Sequence, residues 1–118
     1  MRKLILQMRI TVDGFVAGTN GEEDWDVKAD EKLWQLINEL PDRCDTLLLG
    51  RKMAEAFLPH FEEFEPANPR FGFAQKMVDI QKVIFTKTLE KPFGKNTSLA
   101  KGNMADEISS LKSIAGKD

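Results

Sequence analysis

The sequence predicts an α/β layered domain with a largely parallel sheet. Three observations carry this. Short apolar runs alternate along the chain with stretches whose apolar residues fall at helical spacing. The run from Asp45 to Gly50, which contains Leu47-Leu48-Leu49, is nearly continuous apolar sequence, as expected of a strand covered on both faces. Prolines and glycines fall between the segments, where turns belong.

Each element can be justified in order. Lys3 to Val12 places Leu4, Leu6, Met8, Ile10 and Val12 at period two, which predicts a first strand and not a signal peptide. DGFVAGTNGEEDW, from Asp13 to Trp25, carries three glycines and a TNG turn signal and reads as a loop. From Val27 to Leu40 the period lengthens: Leu33, Leu36, Ile37 and Leu40 predict a helix, with Pro41 as its stop. Asp45 to Gly50 is the second strand. Lys52 to Leu58 reads as a helix ended by Pro59, and FEEFEPANP as a polar connection. Phe73 to Ile80 is a further helix with Ala74, Met77 and Val78 on one side. Lys82 to Thr86 is a third strand and Thr97 to Ala100 a fourth. Asn103 is placed to cap a last helix, with Asp106 three residues on and Met104, Ile108, Leu111 and Ala115 as its stripe.

The 118 residues suffice for one domain. The net charge of −2, from 17 cations and 19 acids, offers no nucleic-acid footprint. The acidic cluster Glu22-Glu23-Asp24 with Asp26 reads as a solvated face. One cysteine, Cys44, excludes an intrachain disulfide and suits a reduced, cytoplasmic setting. It reads as a small apolar residue and not a nucleophile. His60 has no second ligand at metal-binding spacing, so no metal is expected. No apolar run approaches the ~18 residues that span a membrane.

The most informative stretch is LLLGRKM, Leu47 to Met53. In open α/β sheets, ligands bind beyond the carboxyl ends of strands, where a helix N-terminus offers free N–H groups and a positive dipole end. Gly50, Arg51 and Lys52 are the parts of an anion site there: close approach, a two-pronged donor and a point charge. The bland reading, a strand-to-helix turn with solubilising cations, stands beside it. VIFTKTLE repeats the design, with Thr86, Lys87 and Thr88 at the strand end. Two such junctions on neighbouring strands would suit a dinucleotide phosphate.

At this point the ordered set of segments resembles a known family. ITVDGFVAG, VAGTNGEEDW, LLLGRKM, KVIFTKTLE and the closing NTSLAKGNMADEISSLKSIAGKD are similar, in this order, to the dihydrofolate reductase-like superfamily. The closest likeness is to its bacterial RibD C-terminal branch, the reductase domain of riboflavin biosynthesis. The resemblance implies a three-layer α/β/α domain with a mostly parallel central sheet. It implies NADPH as cofactor and hydride transfer to a pterin-like or ribosylaminopyrimidine-type small-molecule substrate. Gly50, Arg51 and Lys52 would cradle the NADPH phosphates, although Met53 replaces the commoner threonine. Thr86, Lys87 and Thr88 would sit at the adenosine end, and Val12, Ala17 and Gly18 would flank the nicotinamide. Asp30 and Glu31 match the spacing of the family's carboxylate after the loop tryptophan. Both also fit as helix-start acids. Asp13 and Trp25 are the further candidates for substrate contact.

The family continues after GKD with a strand, a Gly-Gly turn and further strands. The expectation is therefore a single, C-terminally shortened domain over residues 1–118 that lacks those strands. An uncovered sheet edge favours pairing, so a homodimer is expected. A non-catalytic relic that keeps the half-fold and self-associates is the alternative to an active reductase.

Overall fold

The computed structural model describes residues 1–26 and 28–118. Among these residues, four helices and three strands follow in the order α1 (Glu31–Arg43), β1 (Thr46–Gly50), α2 (Arg51–Glu62), α3 (Phe71–Asp79), β2 (Gln81–Phe85), β3 (Thr97–Ala100) and α4 (Met104–Ser113). The strands form one sheet in the order β1-β2-β3, parallel throughout. This is the mixed α/β architecture with a parallel sheet that the sequence predicts.

Apolar residues in register across the strands build the core. Leu49, Ile84 and Leu99 lie side by side in register. Leu49 and Ile84 pack with Ala54 and Leu58 of α2, and Leu47, Leu89, Phe93 and Leu99 surround them. Ile84 is fully buried, which contributes about 1.5–3 kcal/mol for a side chain of this size. α2 covers β1 and β2, α3 packs on α2, and α1 leans on α3. Trp34 of α1 meets Phe73 of α3 edge-on at 5.2 Å, and Phe61 of α2 meets the same ring at 5.8 Å.

Several sequence-based expectations are corrected. Lys3 to Val12 forms no strand, and Leu4, Leu6, Met8, Ile10 and Val12 are all exposed. Alternation describes a side-chain pattern, but a strand also needs a neighbour's backbone groups, and this segment has no ladder partner among the described residues. The first helix does not start near Val27, which lies outside the described residues. It starts at Glu31, because Asp30 accepts a hydrogen bond from the Leu33 N–H as the N-cap. Pro41 and Pro59 do not stop their helices, which run on to Arg43 and Glu62. Each proline sits near the helix end, where the carbonyl still accepts, from Cys44 N–H and Glu63 N–H respectively. The last helix ends at Ser113, so Ala115 lies beyond it, and Met104 is exposed.

Asp45 ties the chain ends to the foot of β1. Its carboxylate accepts from the Arg2 guanidinium and from the Lys117 N–H, and its own N–H donates to the Asp118 carbonyl at 2.7 Å. Arg2 also donates to Thr46 Oγ1 and the Leu111 carbonyl.

Candidate functional site

The two predicted junctions meet at one edge of the sheet. Gly50 and Phe85, the last residues of β1 and β2, are register partners. Arg51 and Thr86 therefore leave neighbouring strands at the same carboxyl edge. Gly50 is the N-cap of α2, with no side chain capping the helix start. Its φ of −75° is open to any residue, and a Cβ there would meet nothing within 4 Å. Neither backbone geometry nor crowding within the chain calls for glycine at this point.

The side chains around the junction are partly engaged. Arg51 donates to both carboxylate oxygens of Glu55, at 2.9 and 3.1 Å. This is an exposed pair one helical turn apart, and such pairs are weak. Thr86 is buried, and its Oγ1 accepts from the N–H groups of Thr88 and Leu89 at 3.2 and 3.1 Å. That hydroxyl thus shapes the turn after β2. Lys52, Lys87 and Thr88 are exposed.

The remaining predicted residues lie in the loop and helix start. Val12 is fully exposed, and Ala17 and Gly18 are half-buried. A Cβ on Gly18 would meet the carboxyl end of the exposed Glu22 side chain, which would have to move aside. Asp13 accepts from the Thr11 hydroxyl at 2.5 Å, and the same hydroxyl accepts from Phe15 N–H at 2.9 Å. Asp30 commits one oxygen to the Leu33 N–H, while Glu31 is exposed in the first turn. Trp25 is half-buried, with its indole N–H buried and unpartnered. Among the described residues, no hydrogen bond joins residues 12–31 to the Gly50 junction.

Sequence reasoning missed two features. A cleft of about 270 Å³ is lined by Arg9, Glu23, Asp26, Lys28, Trp34 and Arg70, among others, and by none of the predicted site residues. Trp34 stands four residues after Asp30, a helical spacing that was readable. Arg70 lies far from both in sequence, so only the fold brings it there. The second feature is Lys82, which is buried in β2 and donates to the carbonyls of Met77, Val78 and Ile80 at 3.0, 2.7 and 2.8 Å. Burial pushes its ammonium below the ordinary 10.5, with Glu62 and Asp79 pulling the other way. This lysine closes the C-terminal end of α3 and stands apart from the junction chemistry. At Cys44, burial and then the Asp118 charge push the thiol up, which disfavours the nucleophilic thiolate. No helix among the described residues is long and apolar enough to cross a membrane.

The family pattern for the RibD C-terminal domain matches residues 2–111, a span that contains the loop, both strand-end junctions and nearly all of α4. The chain belongs to the RibD C-terminal domain family. It is also similar to the uncharacterized protein YyaP of Bacillus subtilis (strain 168), at 27% identity over 118 residues. That alignment covers 99% of this chain and 60% of YyaP, so the chain spans less than two thirds of that relative's length.

Proposed function

We propose that this RibD C-terminal family member is an NADPH-dependent reductase that acts on a pterin-like or ribosylaminopyrimidine-type substrate. The observation that carries the reading is the register of Gly50 with Phe85, which sets two polar strand ends side by side. The residues at that edge suit a dinucleotide phosphate. The uncapped start of α2 directs its first N–H groups outward, and Gly50 leaves open space above its Cα. Arg51, Lys52 and Lys87 supply the positive charge.

When bound, NADPH supplies the hydride; the chain supplies binding, orientation and electrostatics. Arg51 exchanges its exposed Glu55 partner for phosphate oxygens, a stronger forked contact. Thr86 holds the turn that presents Lys87 and Thr88. Ala17 and Gly18 form the loop wall on the nicotinamide side, with Val12 at its start. Asp30 keeps one oxygen on the helix cap and offers the other to a substrate N–H edge. Glu31, Asp13 and Trp25 are the neighbouring candidates for substrate contact. A homodimer in the cytoplasm is part of this reading.

The test is direct. The chain is mixed with NADPH and either a dihydropterin or a ribosylaminopyrimidine phosphate, and the reduced-nicotinamide absorbance is followed. Loss of absorbance that depends on substrate supports the proposal. NADPH binding without turnover of either substrate class would overturn the reductase assignment. It would favour a second reading, a non-catalytic module that self-associates. The exposed apolar side chains of Leu4, Leu6, Met8, Ile10 and Val12, and a sheet that has three strands among the described residues, support that second reading.

A further inference from the structure

A groove of about 300 Å³ lies between the end of α2, α3 and the turn before β3, lined by Phe61, Glu62, Phe64, Phe71, Val78 and Lys95, with Gln75 beside them. Val78 and Lys95 stand just before Gln81 and Thr97, the first residues of β2 and β3. The groove therefore sits at the amino ends of these strands, the opposite edge of the sheet from the Gly50 junction. Its apolar wall is built from rings. Phe61 and Phe64 lie 6.3 Å apart, Phe61 is braced edge-on by Phe73, and Phe64 by His60. The carboxylates nearby are already engaged. Glu62 accepts from the Lys95 N–H at 3.1 Å, Asp79 accepts from the Gln75 amide at 2.9 Å, and both act on the buried Lys82 ammonium. The Lys95 ammonium makes no ion pair among the described residues. The backbone that carries it is pinned. Gly94 and Asn96, on either side of Lys95, have φ of 79° and 53°. A residue other than glycine holds such a φ only where its surroundings impose it. Here the Asn96 amide donates to the carbonyls of Val78 and Asp79 at 3.3 and 3.1 Å, and the Asn96 carbonyl accepts from the Lys82 N–H at 2.8 Å.

We propose that this groove binds a small aryl carboxylate, with the ring among Phe61, Phe64 and Phe71 and the carboxylate on Lys95. Charge complementarity selects this ligand. Glu62 and Asp79 are balanced by Lys82, so the one uncommitted charge at the groove is positive and calls for an anion. The three phenylalanines are half-buried, so they leave ring faces and edges for a further aromatic ring to pack against. The volume stands at the low end of ligand pockets, which suits one ring on a short chain. A lysine ammonium is a point charge on a flexible stem, so it selects for charge and not for a forked geometry. The site lies apart from the proposed cofactor edge and goes beyond the reductase reading. Binding here requires neither cofactor nor turnover.

The experiment uses the whole chain, labelled with nitrogen-15, and follows its amide resonances during titration. The probe is 3-phenylpropionate. Its amide, 3-phenylpropionamide, lacks the charge, and acetate lacks the ring. The expected result is saturable binding of the acid at millimolar or tighter concentration, as befits so small a ligand, with the largest shifts at residues 61–64, 71–78 and 95. The amide should bind about three- to fivefold more weakly, the scale of a partly exposed ion pair, and acetate should not saturate. Lys95→Gln should lower the acid to the level of the amide and leave the amide unchanged, while Lys95→Arg keeps the preference for the acid. Phe64→Leu should weaken both. Should Phe64→Leu fail to fold, the exposed Lys95 variants decide the matter alone. Absence of saturable binding, shifts centred elsewhere, or an advantage of acid over amide that survives Lys95→Gln overturns the assignment. Because Lys95→Gln should leave NADPH titrations untouched, failure here is separable from failure of cofactor binding at the Gly50 edge.

Discussion

Gly50 and Phe85 stand opposite each other at the ends of two parallel strands, and the fold uses Gly50 only as the N-cap of α2. Its φ is ordinary and the space above its Cα is open. This separates the demands of the fold from the demands of a ligand. Gly50→Ala should cost only about 0.5–1 kcal/mol of stability, because alanine is a poorer N-cap than glycine while the backbone geometry suits either residue. The same change should weaken NADPH binding, because the methyl group would stand where a phosphate approaches. Urea unfolding and calorimetry on one preparation check both halves.

Arg51 and Glu55 make opposite predictions. Arg51→Ala should weaken NADPH binding by ~1–3 kcal/mol, the scale of a charged hydrogen bond. Glu55→Ala removes the competing carboxylate and should tighten binding, at a stability cost of only ~0.5 kcal/mol for an exposed i,i+4 pair. A weaker affinity in Glu55→Ala would mean that the pair acts as a unit in orienting the guanidinium.

Asp30 has a structural duty that must be separated from any catalytic one. Asparagine caps helices about as well as aspartate, so Asp30→Asn should keep the melting temperature while Asp30→Ala loses ~0.5–2 kcal/mol. If the carboxylate serves the reaction, Asp30→Asn should cost on the order of 100-fold in turnover. Full activity in Asp30→Asn would reduce Asp30 to a cap.

Lys82 should matter for stability and not for binding. Lys82→Met leaves the carbonyls of Met77, Val78 and Ile80 short of a donor and should cost ~1–3 kcal/mol. The pH dependence has a defined sign. The folded pKa lies below 10.5, so between those two values the unfolded chain binds more protons than the folded one. The Lys82 contribution therefore becomes more favourable as pH rises through that window, and is least favourable below it. The stability gap between the parent chain and Lys82→Met, measured by urea midpoints toward pH 10.5, should widen. A constant gap would contradict the lowered pKa.

The strand-helix alternation was readable because it rests on local pattern. Asp45 to Gly50, Lys82 to Thr86 and Thr97 to Ala100 appear as strands, each within a residue or two. The Asn103 cap is present as expected, accepting from Ala105 and Asp106 N–H. What failed needed information from afar. The alternation of Leu4 to Val12 could not reveal that the segment lacks a pairing partner. Pro41 and Pro59 read as stops because sequence alone does not show how close each lies to its helix end. The Gly50 junction was legible as a strand end running into a helix start, but its pairing beside Phe85 was not, since strand order is a long-range property. The Trp34–Arg70 contact was invisible for the same reason: 36 positions of chain separate the two residues.

The most direct test of the central claim is calorimetric titration of the purified chain with NADPH, with NADH as comparison and Gly50→Ala as the matched variant. The account predicts binding in the micromolar range, tighter for NADPH than for NADH, and lost in a Gly50→Ala variant that remains folded. A folded protein that takes up no NADPH, or one whose Gly50→Ala variant binds it equally well, would contradict the account.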